Sequence, residues 1–293
     1  MSLLLWIIEA GYIKYVTCGL YLENGYYTLF RNKGTPSIMS KSVSKQSNRK
    51  KVRFPYTIII PSEQQPELLY THTLTLLRAY RIPRESIIIT VPSTEQETLY
   101  KARIPSDLYG VVISIHAPYS SAEFYNRISN RFPEGIPLVY IADNLQGVFQ
   151  KEAHVTSTLL PVTNLWEVFK QGFQECEKAH SQIWGIYPVA NGHFMSQTVS
   201  TQLKYLPGWM WGCFNPGSSA IHLSMNDLVD YERSIVFWKT FGSVVRLNWI
   251  ACHSVSHPTI QSNRPAKKLA KLYPEHVSLE KDTHGILHVR LQV

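Results

Sequence analysis

Short β-branched segments alternate with helical patterns after residue 53, and this alternation limits the possible folds more than any other feature of the chain. The strand-like segments cover residues 56–60, 86–91, 110–115 and 138–141, and the helical ones cover residues 67–80, 95–102 and 121–132. Strands separated by helices are normally joined by crossovers that leave neighbouring strands parallel. The sequence therefore predicts an α/β fold with a mixed, mostly parallel central sheet flanked by helices, with ligands at the carboxyl ends of the strands.

Composition supports a folded protein in a reducing compartment. The chain has 293 residues, of which 44% are apolar and 12% aromatic, enough for one large or two modest domains with a buried core. Its cysteines, Cys18, Cys176, Cys213 and Cys252, are far apart and form no Cys-x-x-Cys pair. This spacing favours neither a disulfide framework nor a zinc ribbon.

Apolar segments and charge restrict the partners. The apolar stretch 3–8 is much shorter than the roughly 20 residues of a spanning helix, and no positive charge precedes it. We therefore expect a soluble, non-secreted protein with no membrane partner, cytoplasmic or, if viral, in the host cytoplasm or nucleus. The net charge of +8 favours nucleic acid or a phosphate-bearing ligand, unless the basic residues, concentrated in 41–53 and 264–271, are ordinary solvated surface.

The chain is predicted to divide at residue 53. Residues 36–53 are polar, basic and free of periodicity, which indicates a linker, and residues 1–35 form an appendage with a hairpin at Asn24-Gly25. Residues 54–293 form the main domain. Beyond residue 151 we expect helices at 165–180 and 227–240, strands at 183–187 and 243–250, a Gly- and aromatic-rich turn region at 205–217, and a basic, loop-rich tail.

An apolar strand that ends in polar residues is the strongest indication of a site. The stretch 136–149 is apolar on both sides of Asp143-Asn144. Such a pair faces a cavity, a cation or a turn, and a simple Asp-Asn turn is the competing interpretation.

Several segments, in order, resemble the GT-A nucleotide-sugar glycosyltransferases. They are Ile58-Ile-Ile-Pro-Ser62, residues 73–77, Ile82-Pro83 with residues 87–89, residues 126–135, and Ala142-Asp143-Asn144. Within that class the chain looks closest to the DNA-modifying branch that includes TET-associated and base J glucosyltransferases and related viral enzymes. The resemblance implies a GT-A-like domain and a hexosyltransferase-type enzyme that moves a sugar from a nucleoside-diphosphate donor to a hydroxyl with inversion. DNA is the candidate partner, with a hydroxymethylated pyrimidine as the acceptor.

The resemblance also implies a donor site. Pro61, Ser62 and Gln65 would lie beside the nucleotide, and Arg127 would bind the diphosphate unless it is a solvated helix arginine. Asp143 and Asn144 would bind a Mn²⁺ or Mg²⁺ ion, to which His253 and His257 are further candidate ligands. Two departures stand out: only Asp143 of the Asp-x-Asp motif is acidic, and Gln65 replaces the usual arginine. A zinc site formed by the two histidines alone is disfavoured by Pro258.

The acceptor side is implied by two later segments. Residues 184–191 and 205–212 place Asn191, Gly208 and Trp209 at the acceptor, with core packing as the alternative for the aromatic residues. The segment 224–233 matches the one that carries the catalytic base, with Asp227 at the matching position and Asp230 as the second candidate. Ser224 and Asp227 also form a Ser-x-x-Asp capping-box pattern at a helix start.

Other functions remain open at this stage. Ala142, Asn144 and Gln65 would also fit a catalytically silent GT-A-like module that binds nucleic acid or protein. Lys267, Lys268 and Lys271 would hold a diphosphate or a nucleic-acid backbone, or form a solvated helix face; they lie in 264–271. A nucleotidyltransferase is disfavoured because residues 61–66 contain no Gly-rich, lysine-bearing phosphate loop.

Overall fold

The computed structural model describes residues 55–119, 121–153, 157–217, 219–255 and 263–293, together with the backbone of three N-terminal strands. The chain divides into two compact units, Met1–Val52 and Arg53–Val293. The first unit contains the antiparallel strands β1 (Ser2–Glu9), β2 (Tyr12–Glu23) and β3 (Tyr26–Phe30). The predicted Asn24-Gly25 turn and the basic linker 36–53 lie outside the described residues, so both stay predictions.

The second unit alternates strands and helices along the chain. Its strands are β4 (Thr57–Pro61), β5 (Ile87–Val91), β6 (Val111–Ser114), β7 (Pro137–Ile141), β8 (Leu145–Lys151), β9 (Leu159–Pro161), β10 (Ile183–Ile186), β11 (Val199–Ser200), β12 (Met210–Phe214), β13 (Val245–Leu247), β14 (Ile250–Ser254), β15 (Val277–Lys281) and β16 (Leu287–Leu291). Its helices are α1 (Pro66–Leu69), α2 (Thr75–Ala79), α3 (Thr94–Arg103), α4 (Ala122–Ser129), α5 (Leu165–Ala179), α6 (Val229–Phe241) and α7 (Asn263–Leu272), with a 3₁₀ turn at Arg84–Ser86. A π-helical turn, Tyr70–Leu74, joins α1 to α2.

One eight-stranded sheet forms the centre of this unit, in the order β11-β13-β10-β12-β7-β4-β5-β6. β4 lies parallel to both β5 and β7, and β12 is antiparallel to β7. The predicted fold class, a mixed and mostly parallel sheet flanked by helices, is therefore confirmed. The chain runs outward from β4 through β5 to β6 and then returns to the other side of β4 as β7. This reversal creates a switch point between the carboxyl ends of β4 and β7, the place where open α/β sheets bind ligands.

The second half of the chain is more regular than the sequence suggested. The region 205–217, predicted as turns, contains β12, a strand inside the central sheet. The predicted strand 243–250 is two strands in different sheets, because buried Asn248 turns the chain between them and donates to Thr198 and Ser200. The tail predicted as loop forms α7 and the β15–β16 hairpin.

Trp184 shows why β12 has the glycines that made it look like a turn. The indole is fully buried between α5 and β12. A Cβ at Gly172 of α5 or at Gly212 of β12 would overlap the ring. The glycines therefore let a large aromatic side chain fit between a helix and a strand, and they do not mark a break in the sheet.

Two smaller sheets complete the unit, in the orders β14-β8-β9 and β15-β16. β8 starts directly after Asn144, so the chain leaves the central sheet at that residue. Within the described part of the chain, none of the helices is long and apolar enough to cross a membrane.

We predict that Gly172→Ala destabilises the protein although alanine favours helices. The new methyl group overlaps the Trp184 indole, and overpacking of this kind costs about 1–3 kcal/mol. Urea unfolding will measure the loss. Gln171→Ala, at the exposed neighbouring position of the same helix, is the matched control and should change the free energy of unfolding by less than about 0.5 kcal/mol. Equal effects of the two substitutions would contradict the packing argument.

Candidate functional site

A cleft of about 400 Å³ lies at the switch point of the central sheet. Its wall is formed by the ends of β4 and β7 with the residues that follow them, by β12 with the segment before it, and by parts of α4 and α6 with the loop before α4. The lining residues are Pro61, Glu63, Gln65, Tyr119, Tyr125, Tyr140, Ile141, Ala142, Asp143, Asn144, Tyr205, Gly208, Trp209, Trp211, Val229 and Asp230. Most of the predicted donor residues therefore lie together with two of the predicted acceptor residues and one candidate base.

Asp143 and Asn144 form the turn between β7 and β8 and also line the cleft. The two interpretations of this pair are thus both right. The hydroxyl of buried Thr73 holds both ends of the turn: it donates to the Ala142 carbonyl (2.8 Å) and accepts from the Leu145 N–H (3.0 Å). Thr73 lies in the π-helical turn, a local distortion that often marks functional sites.

A chain of hydrogen bonds holds the Asp143 carboxylate, which is only 6% exposed. The Gln65 N–H donates to the Tyr100 hydroxyl (3.2 Å), and the Ser62 hydroxyl donates to Oδ2 of Asp143. The hydroxyl oxygens of Tyr100 and Ser62 are 2.6 Å apart. The Ser62 hydroxyl has one proton, which it donates to Asp143, so Tyr100 is the donor in its bond to Ser62. Burial raises the pKa of Tyr100 to about 12, and the phenol therefore keeps its proton at neutral pH. Ser62 therefore supports the carboxylate from behind and does not itself line the cleft.

Asn144 has an unused acceptor at this site. The side chain is 2% exposed, and its Nδ2 donates to the Val255 carbonyl (2.9 Å). Its Oδ1 has no hydrogen-bond partner among the described residues. Since buried polar atoms are nearly always paired, this amide oxygen of a residue in the cleft wall is available to accept from or coordinate a ligand.

Asp230 is the carboxylate of the second wall. It lies in the first turn of α6, where Oδ2 accepts from the Gly208 N–H and Oδ1 accepts from Arg233, each at 2.9 Å. The preceding Leu228 adopts a left-handed conformation, with φ of 58°, which turns the chain into the helix. Non-glycine residues rarely adopt this conformation, and they keep it only where the surrounding structure holds them in it.

Arg233 fixes this carboxylate from inside the protein. The side chain is 1% exposed, and its guanidinium lies 4.0 Å from the centre of the Trp211 ring. Trp211 stacks in turn on Tyr140, its neighbour across the β7–β12 pair, with ring centres 4.0 Å apart. Nη2 also donates to the Leu206 carbonyl (3.0 Å). A buried guanidinium is tolerated only when it is paired, so Arg233 and Asp230 hold each other in place.

Asp227, the first candidate base, is exposed and does not line the cleft. The predicted Ser224–Asp227 capping box is wrong, because the Ser224 hydroxyl donates to Glu232 and α6 begins only at Val229. Glu232 is fully buried and accepts from both the N–H and the hydroxyl of Ser224, the Met225 N–H and the Tyr273 hydroxyl. This carboxylate therefore fixes the loop before α6, a role that the sequence pattern did not reveal.

Two further predicted residues lie elsewhere. Arg127 of α4 pairs with Glu123 one turn away and donates to the His116 carbonyl (2.7 Å), outside the cleft wall. Asn191 lies in a turn, where its side chain accepts from the His193 N–H (3.0 Å), and it does not line the cleft either.

Of the two histidines predicted as metal ligands, His253 does not line the cleft that contains Asp143. His253 was expected after a strand but lies within β14, opposite Gly147, and its ring packs against Phe149 with centres 4.6 Å apart. His257 lies outside the described residues. In the described ranges, no group of three or more His, Cys, Asp and Glu side chains is arranged to hold a metal ion.

The aromatic wall of the cleft was predicted only in part. Tyr205 and Trp211 belong to the segment 205–212 that was assigned to the acceptor side, whereas Tyr119, Tyr125 and Tyr140 were not predicted. No local motif joins these three tyrosines to the segment, and the abundance of tyrosine was the only available signal for them. Among the described residues of the wall, the acidic side chains are Glu63, Asp143 and Asp230, and no lysine or arginine is present. The cleft thus combines carboxylates with aromatic side chains.

No protein-family profile and no curated protein sequence matches this chain. Solved structures with partial similarity include glucosyl-3-phosphoglycerate synthase from Mycobacterium tuberculosis in complex with Mn²⁺ and UDP-glucose, at 8% identity and a TM-score of 0.44, covering 81% of this chain and 86% of that one. Mannosyl-3-phosphoglycerate synthase from Rubrobacter xylanophilus has 9% identity and a TM-score of 0.43, covering 82% of this chain and 85% of that one. Because the TM-scores are below 0.5, we base the function on the cleft itself.

We predict that Gly208→Ala destabilises the protein only while Asp230 is present. A Cβ at residue 208 would lie 2.8 Å from Oδ2 of Asp230, closer than carbon and oxygen normally approach, and should cost about 1–2 kcal/mol. Urea unfolding of the two single variants and the double variant with Asp230→Ala forms a double-mutant cycle. The cost of the alanine should nearly vanish in the Asp230→Ala background; an unchanged cost would mean that the carboxylate does not lie against Gly208.

We also predict that Arg233→Met destabilises the protein by about 3 kcal/mol. The substitution leaves Asp230 without its buried partner and removes the cation stacked on Trp211. Arg127→Met is the matched control, because Arg127 also pairs with a carboxylate on its own helix but is 45% exposed. Its cost should stay below about 1 kcal/mol. Similar unfolding midpoints for the two variants would show that the Arg233 pair is not held as described.

Proposed function

We propose that this protein is a glycosyltransferase, which moves a sugar from a nucleoside-diphosphate donor to a hydroxyl acceptor in the cleft at the switch point. The observation that carries the proposal is the presence of two independently fixed carboxylates, Asp143 and Asp230, in one aromatic-lined cleft. Sugar transfer needs one group for the donor diphosphate and another for the acceptor proton. The two carboxylates lie on different elements of the wall and are held by different partners, which suits two separate tasks.

Asp143 and Asn144 supply the donor side in this proposal. The wall has acidic but no basic side chains among its described residues, so a diphosphate requires a cation there. The Asp143 carboxylate and the unpaired Oδ1 of Asn144 are oxygen ligands of the kind that Mn²⁺ and Mg²⁺ prefer. One protein carboxylate is enough for Mg²⁺ when phosphate and water oxygens fill the other positions. The ion, when bound, neutralises negative charge on the departing diphosphate.

Asp230 supplies the acceptor side. As the acceptor oxygen forms its bond to the anomeric carbon, the bond from that carbon to the diphosphate oxygen breaks, and the hydroxyl proton passes to the carboxylate. This single displacement inverts the anomeric centre. Each Asp230 oxygen accepts one hydrogen bond in the structure and keeps a lone pair for the proton. We assign the base to Asp230 and not to Asp227, because only Asp230 lines the cleft.

For the acceptor we retain a hydroxymethylated pyrimidine in DNA. The aromatic side chains Tyr125, Tyr205 and Trp209 of the wall offer faces on which a base or a sugar ring can stack. A base in duplex DNA would have to be flipped out to enter a cleft of this kind.

A catalytically silent binding module is the second candidate. Gln65 and Asn144 stand in the cleft wall where the resemblance calls for charged side chains, which leaves one carboxylate, Asp143, in the turn after β7. A module of this kind would bind nucleic acid or protein and would transfer no sugar.

Thermal-shift measurements with UDP-, GDP-, ADP- and dTDP-sugars, each with Mn²⁺, Mg²⁺ or EDTA, test the donor site. We expect one nucleotide to raise the melting temperature in the presence of metal, because a ligand at 100 times its Kd stabilises the folded state by about 2.7 kcal/mol. Asp143→Asn should abolish the metal-dependent part of the shift, whereas Asp227→Asn, at an exposed position, should retain it. The absence of any shift with every donor would refute the proposed function.

Transfer activity separates the two candidates. With the donor identified, release of nucleoside diphosphate in the presence of hydroxymethylated DNA should fall by at least about 100-fold in Asp230→Asn and stay near the wild-type rate in Asp227→Asn. Loss of activity in Asp227→Asn alone would return the base to Asp227. Donor binding without any transfer would favour the silent module.

A further inference from the structure

Helix α7 carries a line of basic side chains that the cleft does not use. Arg264, Lys267, Lys268 and Lys271 follow the spacing i, i+3, i+4 and i+7, so they share one face of the helix, which we name the α7 stripe. All four side chains are exposed. The helix sequence, Asn-Arg-Pro-Ala-Lys-Lys-Leu-Ala-Lys-Leu, contains no acidic residue. The stripe is therefore a concentrated positive surface.

The opposite face of α7 anchors the helix to the protein. Ala266 and Leu269 are buried, and Leu269 packs in a core cluster with Ile235 of α6 and Val277 of β15. Just after the helix, the Tyr273 hydroxyl donates to buried Glu232 of α6 (3.0 Å). The stripe is consequently presented by a helix whose apolar side is already occupied.

The lysines of the stripe differ from those of α3 and α5. Lys101 of α3 and Lys170 and Lys178 of α5 each pair with a glutamate on their own helix. By contrast, none of the ion pairs formed among the described residues includes Lys267, Lys268 or Lys271. The charge of these three lysines is therefore not neutralised by an ion pair with a described carboxylate.

The positive surface continues onto α6. Lys239, which is exposed, lies 5.6 Å from the centre of the Tyr273 ring. The charges thus extend beyond the end of α7 along a direction set by two packed helices. An extended row of fixed positive charges matches a ligand with repeated negative charges better than it matches a single anion.

We propose that the α7 stripe binds the phosphate backbone of nucleic acid. From Arg264 to Lys271 the helix rises about 10 Å, at about 1.5 Å per residue, which lets its side chains reach several successive phosphates of one strand. Contacts of lysine and arginine with phosphates position a protein on nucleic acid without reading its sequence. The binding is therefore sequence-independent and strongly dependent on salt.

An anionic membrane is the other polyanion to consider, and the packing of α7 argues against it. Helices that lie on membranes insert an apolar face between the lipids. In α7 the core covers that face at Ala266 and Leu269 and leaves Leu272, at the end of the helix, exposed. The proposal does not depend on sugar transfer, because the stripe lies outside the cleft wall. The charged side chains of that wall, in the described ranges, are carboxylates.

Fluorescence anisotropy of a labelled 20-base-pair DNA duplex, titrated with the full chain from 50 to 200 mM salt, tests the proposal. The triple variant Lys267→Gln, Lys268→Gln, Lys271→Gln should bind about tenfold or more weakly at 50 mM salt, and the slope of log K against log salt should fall by about 3. The control variant Lys101→Gln, Lys170→Gln, Lys178→Gln has the same net charge of +5, three below the +8 of the protein, and should bind like the wild type.

Several outcomes would overturn the proposal. These are equal weakening by both triple variants, no duplex binding by the wild type at 50 mM salt, and binding to anionic phosphatidylserine vesicles, but not to the duplex, that depends on the stripe. Melting temperatures of both variants within a few degrees of the wild type would exclude unfolding as the cause of weaker binding. Donor thermal shifts should be unchanged in the stripe variant, so a failure of this proposal and a failure of sugar transfer give different results.

Discussion

The parallel pairing of β4 with β7 is the constraint on which the site depends. The register places Ile58 opposite Val139 and Ile59 opposite Tyr140, and the isoleucines of β4 are completely buried. Each fully buried side chain of this kind contributes roughly 1.5–3 kcal/mol. Ile58 and Ile60 pack in one core cluster and Ile59 in another, so a slip by one residue would put each side chain into the wrong cluster. The pairing is therefore strongly specified. The chain leaves β4 on one side, through β5 and β6, and returns on the other side as β7. The carboxyl ends of β4 and β7 therefore border one cleft, which is lined by both Gln65 and Asp143.

The second carboxylate depends on a charge buried behind the sheet. Arg233 is almost completely buried, and its partners are the Trp211 ring, the Leu206 carbonyl and Asp230. Removing a guanidinium from water has a large free-energy cost, which the protein offsets with a stacked aromatic ring and charged hydrogen bonds. The result is a carboxylate that is oriented before any ligand arrives. Such prior orientation is the condition under which a general base is most effective.

Negative and positive side chains lie in different places on the protein surface. The cleft wall presents carboxylates and aromatic rings, whereas α7, fixed by its apolar side, presents lysines that no ion pair with a described carboxylate neutralises. Tyr273 and Glu232 link this helix to α6, the same helix that brings Asp230 to the cleft. A long polyanion held along α7 and a small polar group held in the cleft would therefore contact two helices that are linked directly. This arrangement is consistent with an acceptor that is part of a larger anionic molecule.

Local patterns in the sequence determined the alternating strands and helices from β4 to β7 and the polar turn at Asp143-Asn144, because periodicity and turn chemistry act over a few residues. Only the tertiary structure decided what depends on distant residues. The pattern around Gly212 predicted a turn, but this glycine makes room for the Trp184 ring within a strand. Asp227 matched the position of a base, but Ser224 binds Glu232, Leu228 is left-handed, and α6 begins only at Val229. The aromatic wall likewise comes from separate segments. Contacts between residues far apart in the chain leave no fixed spacing, so a single sequence does not reveal them.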